Sequence, residues 1–107
     1  MYAILAGPDP DDLGEQLREQ GVEVTAIDGL ATRPKLEEAG VHRAALLVLT
    51  DVEQATAIAI AKDINDDVRA VVYDRQSLPE FASAQTDLAV DPELLGAETV
   101  AEELAAE

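Results

Sequence analysis

Ala44-Ala45-Leu46-Leu47-Val48-Leu49-Thr50-Asp51 is the stretch on which the fold turns. Six apolar residues run without alternation and end in a threonine and an aspartate. A strand facing water on one side alternates; an unbroken run suits a strand covered on both faces, as in a parallel sheet. Helical spacing follows at once. Ala57, Ile60, Ala61 and Ile64 share one broad face within residues 52–64, and Asp51 with Gln54 stands in capping-box register. A second unbroken run, Arg69–Tyr73, comes next. Strand, helix and strand in sequence imply a right-handed crossover between parallel neighbours.

The same alternation extends in both directions. Tyr2–Ala6 and Val22–Ile27 read as strands upstream, and Leu88–Val90 reads as a strand downstream. Asp9-Pro10 opens the first helix, with Asp9 as N-cap and Pro10 at the first helical position. Leu13 and Leu17 share its face, and Gly21 stops it. A short helix spans about Arg33–Ala39, between Thr32 as cap and Gly40. Another covers about Leu78–Ala84, with Ser77 and Glu80 in capping-box register. The last opens at Asp91-Pro92 and carries Leu94, Leu95, Val100 and Leu104. Strict β-α alternation predicts an α/β fold: a five-stranded parallel sheet, doubly wound, in a Rossmann- or flavodoxin-like three-layer sandwich. No repeat or linker interrupts it, so residues 1–107 read as one domain.

Composition bounds the function. Leu, Val, Ile and Phe number 13, 10, 5 and 1, enough for a core in a chain of 107 residues. Cysteine is absent, which excludes disulfides and thiolate metal sites. No apolar run approaches the ~20 residues of a membrane span, and the N-terminus carries no signal peptide, so a cytoplasmic location without membrane insertion is expected. Asp and Glu total 23 against 7 Lys and Arg, a formal charge of -16, which argues against nucleic acid as a partner. The acids are dispersed, lysine is confined to Lys35 and Lys62, and alanine appears 19 times. This pattern resembles cytoplasmic proteins of salt-accumulating halophiles, whose carboxylate repulsion is screened at molar salt, where the Debye length is about 3 Å. A basic partner is the other use of such a surface.

In open α/β sheets, ligands bind beyond the C-terminal ends of the strands. Those ends carry Gly7 to Asp12, Asp28-Gly29, Thr50-Asp51, Asp74-Arg75 and Asp91. Asp51 and Asp91 are equally suited to capping the helices that follow, and Asp28 to a turn. Asp9, Asp11, Asp12 and Asp51 could also converge on a hard cation, although acids at a helix N-terminus are favoured without one.

Lys35-Leu36-Glu37-Glu38-Ala39-Gly40-Val41, the strand Ala44 to Leu49, Thr50-Asp51 and the segment Asp91 to Glu98 together resemble the TrkA N-terminal (RCK) domain family. The resemblance implies a regulatory nucleotide sensor with NAD or an adenine nucleotide as cofactor, whereas the loop after the first strand leads to the expectation that no cofactor is bound. It places Asp28 on the adenine ribose, and Gly7, Asp9, Thr50 and Asp51 near the ligand. It also implies a homodimer and a potassium-transport or other regulatory partner protein. Two departures bear on these expectations. Asp28 lies eight residues from Leu36, so one helix and one strand of the family's unit are missing, and the implied strand order becomes 2-1-3-4-5. The phosphate loop is two residues short and reads Gly7-Pro8-Asp9-Pro10-Asp11-Asp12. Its prolines remove amide donors, and three carboxylates sit where a phosphate would rest.

No nucleophile elbow, Walker A or zinc-binding histidine pattern is present, and the lone His42 suits a solvent-facing turn. A phosphoryl-receiver domain would need paired acids after strand one, an aspartate after strand three and a lysine after strand five. Asp11-Asp12 and Asp51 supply the acids, but Asp91-Pro92 stands where the lysine belongs. The sequence therefore reads as a non-catalytic regulatory module with a degenerate phosphate-binding loop. The alternative is a protein-interaction module without a small ligand, and behind that a small enzyme or receiver-like domain. A homodimer is expected through the helix 92–106, whose stripe is Leu94, Ala97, Ala101, Leu104 and Ala105, with Leu95 at its edge.

Overall fold

The structure, a computed structural model, describes residues 1–106. Strands and helices alternate: β1 (Tyr2–Ala6), α1 (Leu13–Glu19), β2 (Glu23–Ile27), α2 (Arg33–Ala39), β3 (Leu46–Leu49), α3 (Thr56–Ile64), β4 (Arg69–Tyr73), α4 (Glu80–Ser83), β5 (Leu88–Val90) and α5 (Ala97–Ala105). Short 3-10 turns occupy Val41–Arg43 and Val52–Gln54. All strand pairs are parallel, in the order β2-β1-β3-β4-β5. This is the flavodoxin-like arrangement that the alternation and the shortened unit implied.

Period-two side-chain geometry splits the core into two layers. Tyr2, Ile4 and Ala6 of β1 join Leu47 and Leu49 of β3 against Leu36 of α2 and Ile58 and Ala61 of α3. Ala3 and Leu5 join Leu46, Val48 and Val71 on the other face, against Leu13 and Leu17 of α1 and Val100, Ala101 and Leu104 of α5. The central strands β1 and β3 are buried along their whole length, as their unbroken apolar runs require. The outer strands β2 and β5 are not, because an edge strand has only one neighbour.

Helix starts differ most from the sequence expectation. The Asp12 amide donates to the Asp9 carbonyl at 3.2 Å, closing a turn that leaves Asp12 left-handed at φ 57°, so α1 begins only at Leu13. Asp51 caps the 3-10 turn, and the Gln54 side-chain oxygen accepts from the Ala31 amide instead of completing a capping box; α3 therefore starts at Thr56. Ser77 caps nothing, and α4 opens after Pro79 without a side-chain cap. Asp91 turns the chain by accepting the Leu94 and Leu95 amides on its carbonyl, and α5 opens at Ala97. Leu94 and Leu95 thus lie on a turn before the helix, not on its stripe.

Candidate functional site at the C-terminal edge of the sheet

Strand order reverses between β1 and β3, so the crevice for a ligand should open where these two strands end. Here the chain fills it. Gly7 leaves β1 at φ +111°, and a Cβ on it would lie 2.5 Å from Thr50 Oγ1 and 3.1 Å from both the Asp51 amide nitrogen and Asp51 Cβ. Only glycine allows this approach. The Thr50 amide donates to the Ala6 carbonyl at 3.0 Å, and its hydroxyl donates to the Pro8 carbonyl. The threonine expected near a ligand instead ties the β3 loop to the β1 loop.

Asp9 closes the second half of the crevice. Its two carboxylate oxygens accept the Leu13 and Gly14 amides, each at 2.8 Å. These are the first amides of α1, which otherwise lack partners and attract anions. An anion from the chain itself takes the place a phosphate would need.

Asp51, Asp74, Asp11 and Glu93 are also engaged. Asp51 accepts the Glu53 amide at 2.9 Å. Asp74, after β4, accepts the Val52 amide at 2.8 Å and the Gln76 amide at 3.1 Å, joining the β3 and β4 loops. Arg75 then bridges the outer loops: its Nε donates to Glu93 at 2.8 Å, and its Nη1 to Asp11 at 3.3 Å. The hydrogen bond that Arg75 donates to Glu93 first, and then that to Asp11, raise the Arg75 pKa further. Beneath them Tyr73 donates its hydroxyl to the Leu95 carbonyl at 2.9 Å. Burial first, and then the negative charge of Asp11, push the Tyr73 pKa above its ordinary value, with Arg75 opposing.

Two depressions flank the filled crevice. One, of about 310 Å³, lies among Pro8, Asp11, Asp51, Tyr73, Asp74 and Arg75. The other, of about 370 Å³, is lined by Gly7, Pro8, Asp28, Leu30 and Gln54. Gly7, Thr50 and Asp51 are therefore gathered where β1 and β3 end, Asp9 turns to the start of α1, and Asp28 stands exposed after β2. Its backbone carbonyl accepts Lys35 Nζ at 2.6 Å. Sequence reasoning assigned no role to Arg75, Glu93 or Tyr73. Arg75 carried a signal: it is one of 7 Lys and Arg in the chain and falls at a strand end among acids. Among the described residues, no three His, Asp or Glu side chains are placed to hold a metal ion together.

Comparison with known proteins fits this geometry. The sequence profile described as a family of unknown function (DUF7126) matches residues 3–104. No curated protein matches the chain. Among solved structures, an atypical orphan response regulator, reported with a phosphorylation-independent regulatory mechanism, superposes with a TM-score of 0.74 at 13% identity, over 99% of this chain and 93% of that one. An orphan response regulator of H. pylori gives 0.71 at 13% identity, over 98% and 94%. A Burkholderia pseudomallei response regulator, solved with a phosphorylated aspartate, a calcium ion and citrate, gives 0.62 at 17% identity, over 98% and 71%. Identities this low show a shared fold. They correct the TrkA N-terminal resemblance: the similar folds include response regulators and pilus assembly-related proteins of Burkholderia, and the matching profile is DUF7126. Segments such as Lys35 to Val41 resembled the TrkA family because a helix closed by glycine and followed by a buried strand is common to many α/β units. The potassium-transport partner rested on that resemblance alone.

Proposed function

The chain belongs to DUF7126, a family of unknown function, and from that premise we propose that it is a receiver-like regulatory module that works by contact with other protein surfaces, without phosphoryl transfer at the C-terminal edge of its sheet. One observation carries the reading. Most of the polar groups that a receiver would keep open for phosphate and cation are committed to the chain's own loops; of the acid pair after β1, Asp11 is engaged and the exposed Asp12 carboxylate is not, among the described residues. Asp9 caps α1, Asp51 caps a 3-10 turn, Thr50 is bound to Pro8, and Arg75 neutralises Asp11. A guanidinium beside an acid supplies the positive charge that a divalent ion would otherwise bring. The phosphorylation-independent mechanism reported for one similar fold is consistent with such a design.

The contact surface in this reading includes the turn before α5. Leu94 is 80% and Leu95 44% exposed, while Val100, Ala101 and Leu104 of α5 are spent on the intramolecular core. A second copy of the chain docking on this turn is the homodimer we propose; Leu95→Glu would dissociate it in light scattering.

Phosphoryl chemistry is tested directly. The protein is incubated in molar KCl with Mg²⁺ and acetyl phosphate, followed by intact mass, and with beryllofluoride, followed by thermal unfolding. We expect no phosphoryl mass gain and an unchanged midpoint. A single phosphoryl gain abolished by Asp51→Asn would overturn the reading.

A further inference from the structure

The N-terminal edge of the sheet, opposite the loops described above, holds a depression of about 480 Å³. Its polar side chains include the basic residues Arg43, Arg69 and His42 against a single carboxylate, Asp67. This reverses the character of the chain, which has 23 acids and 7 Lys and Arg. The depression beside Arg75 follows the chain's bias, with Asp11, Glu53 and Asp74 among the acids around one arginine. For an anion diffusing over a surface of this sign, the N-terminal edge is where repulsion is locally reversed.

Arg43 is held in place there. Its guanidinium carbon lies 4.0 Å from the centroid of the Tyr2 ring. That ring is itself fixed, because the Tyr2 hydroxyl engages the Thr25 hydroxyl at 2.7 Å and the Ala39 carbonyl. Gly40, at φ +90°, brings the backbone close, and a Cβ there would meet Arg43 Nε at 3.2 Å. Stacking uses one face of the guanidinium and leaves its edge donors, which no acceptor among the described residues takes. Arg69 is shared, since it also faces Asp87. Burial would raise the Asp87 pKa, but the Lys62 hydrogen bond, the Ala70 amide and the charges of Lys62 and Arg69 hold it below the ordinary value. Arg43 is thus the better placed of the two. The Met1 side chain and Ala45 give the depression apolar walls.

We propose that this depression binds a small organic anion, a planar carboxylate on an apolar body, with Arg43 as its principal ligand and Arg69 and His42 in support. A stacked guanidinium presents a planar fork that matches a carboxylate with two parallel hydrogen bonds, and its immobility lowers the entropy lost on binding. The cavity volume falls in the range that holds small ligands. Chloride competes as a point charge, but it neither pairs with the fork nor covers the apolar wall. The site is remote from the C-terminal edge and independent of the function proposed there.

The test is an amide NMR titration in about 2 M KCl, where long-range attraction is screened and short contacts persist. The probe is 2-naphthoate, and 2-naphthalenemethanol is its uncharged counterpart. Saturable shifts confined to residues 42–46 and 65–69 are expected for the carboxylate, with the alcohol at least about tenfold weaker. Arg43→Gln should weaken the carboxylate about tenfold, and Arg43→Lys, which keeps the charge without the fork, should fall between. Spectral dispersion reports whether each variant is folded. If Arg43→Gln is not, Arg43→Lys decides, and affinity equal to the parent overturns the proposal. So do an absence of saturable shifts, equal binding of the alcohol, or an unchanged affinity in a folded Arg43→Gln.

Discussion

The two ends of this sheet treat polar groups in opposite ways. At the C-terminal edge, loops from four strands are bound to one another: Thr50 to Pro8, Asp74 to Val52, and Arg75 to both Asp11 and Glu93. At the N-terminal edge, Arg43 rests on an aromatic ring with its hydrogen-bonding edge toward solvent. The fold places ligands at the first end, yet there the chain has become its own ligand. A site's place in a fold is set by topology, but its chemistry depends on which side chains remain uncommitted.

Glycine substitutions break this comparison most sharply. Gly7→Ala places a methyl 2.5 Å from Thr50 Oγ1 and against the Asp51 backbone, at a φ of +111° that side chains avoid. Neither neighbour can yield without parting the β1 and β3 loops, so a loss of about 3 kcal/mol or more is expected. Gly40→Ala has a similar left-handed strain, but its nearest neighbour is the far end of the Arg43 side chain at 3.2 Å, which can move. About 1–2 kcal/mol is expected there. Urea unfolding of both variants in molar KCl measures the difference. Equal losses would show that the C-terminal edge is not packed more rigidly than the N-terminal one.

The same contrast explains what the sequence disclosed. Unbroken runs such as Leu46–Leu49 and Arg69–Tyr73 announced buried parallel strands, because a strand covered on both faces has few other compositions. Helix starts were less legible. Asp9 read as the N-cap of a helix opening at Pro10, but α1 opens at Leu13 behind Asp12, and the Asp9 carboxylate reaches forward to Leu13 and Gly14 from outside the helix, whereas a local capping rule reads only adjacent positions. Gly7, Thr50 and Asp51 were placed together by topology. That they fill one another's space follows from the room Gly7 lacks for a Cβ, which would lie 2.5 to 3.1 Å from Thr50 and Asp51, and no spacing in the sequence encodes this. Arg75 binds Asp11 across 64 residues, and a lone arginine at a strand end does not name its partner.

Arg75 supplies an intermediate effect. It is the positive charge between Asp11 and Glu93, on a chain of net charge -16. The parent's unfolding midpoint should rise between about 0.1 M and about 2 M KCl as carboxylate repulsion is screened. Arg75→Gln leaves the two acids facing each other's loops unneutralised, so its midpoint should fall below the parent's at low salt and converge on it at high salt. A deficit that stays constant across the series would mean that Arg75 acts by packing rather than by charge.

The smallest expected effect lies at the other end of the sheet. Asp87 precedes β5 and accepts the Ala70 amide and Lys62 Nζ, both at 2.7 Å, which ties the β5 entry to β4. Burial alone would raise its pKa, but the Lys62 hydrogen bond, the Ala70 amide and nearby positive charge hold it in the folded chain below the ordinary 3.8. The unfolded state therefore takes up this proton first as pH falls. The stabilisation is complete above the unfolded value of 3.8 and is lost progressively as pH drops through the lower folded value. The side chain of Asp87 is 36% exposed, so solvent screening limits the contribution to under about 1 kcal/mol. Asp87→Asn retains an oxygen for the Ala70 amide and removes only the charge. Urea unfolding of the variant and its parent at constant KCl should show a gap at neutral pH that closes as pH falls below 3.8. A gap independent of pH would show that the charge of Asp87 does not carry its contribution to stability.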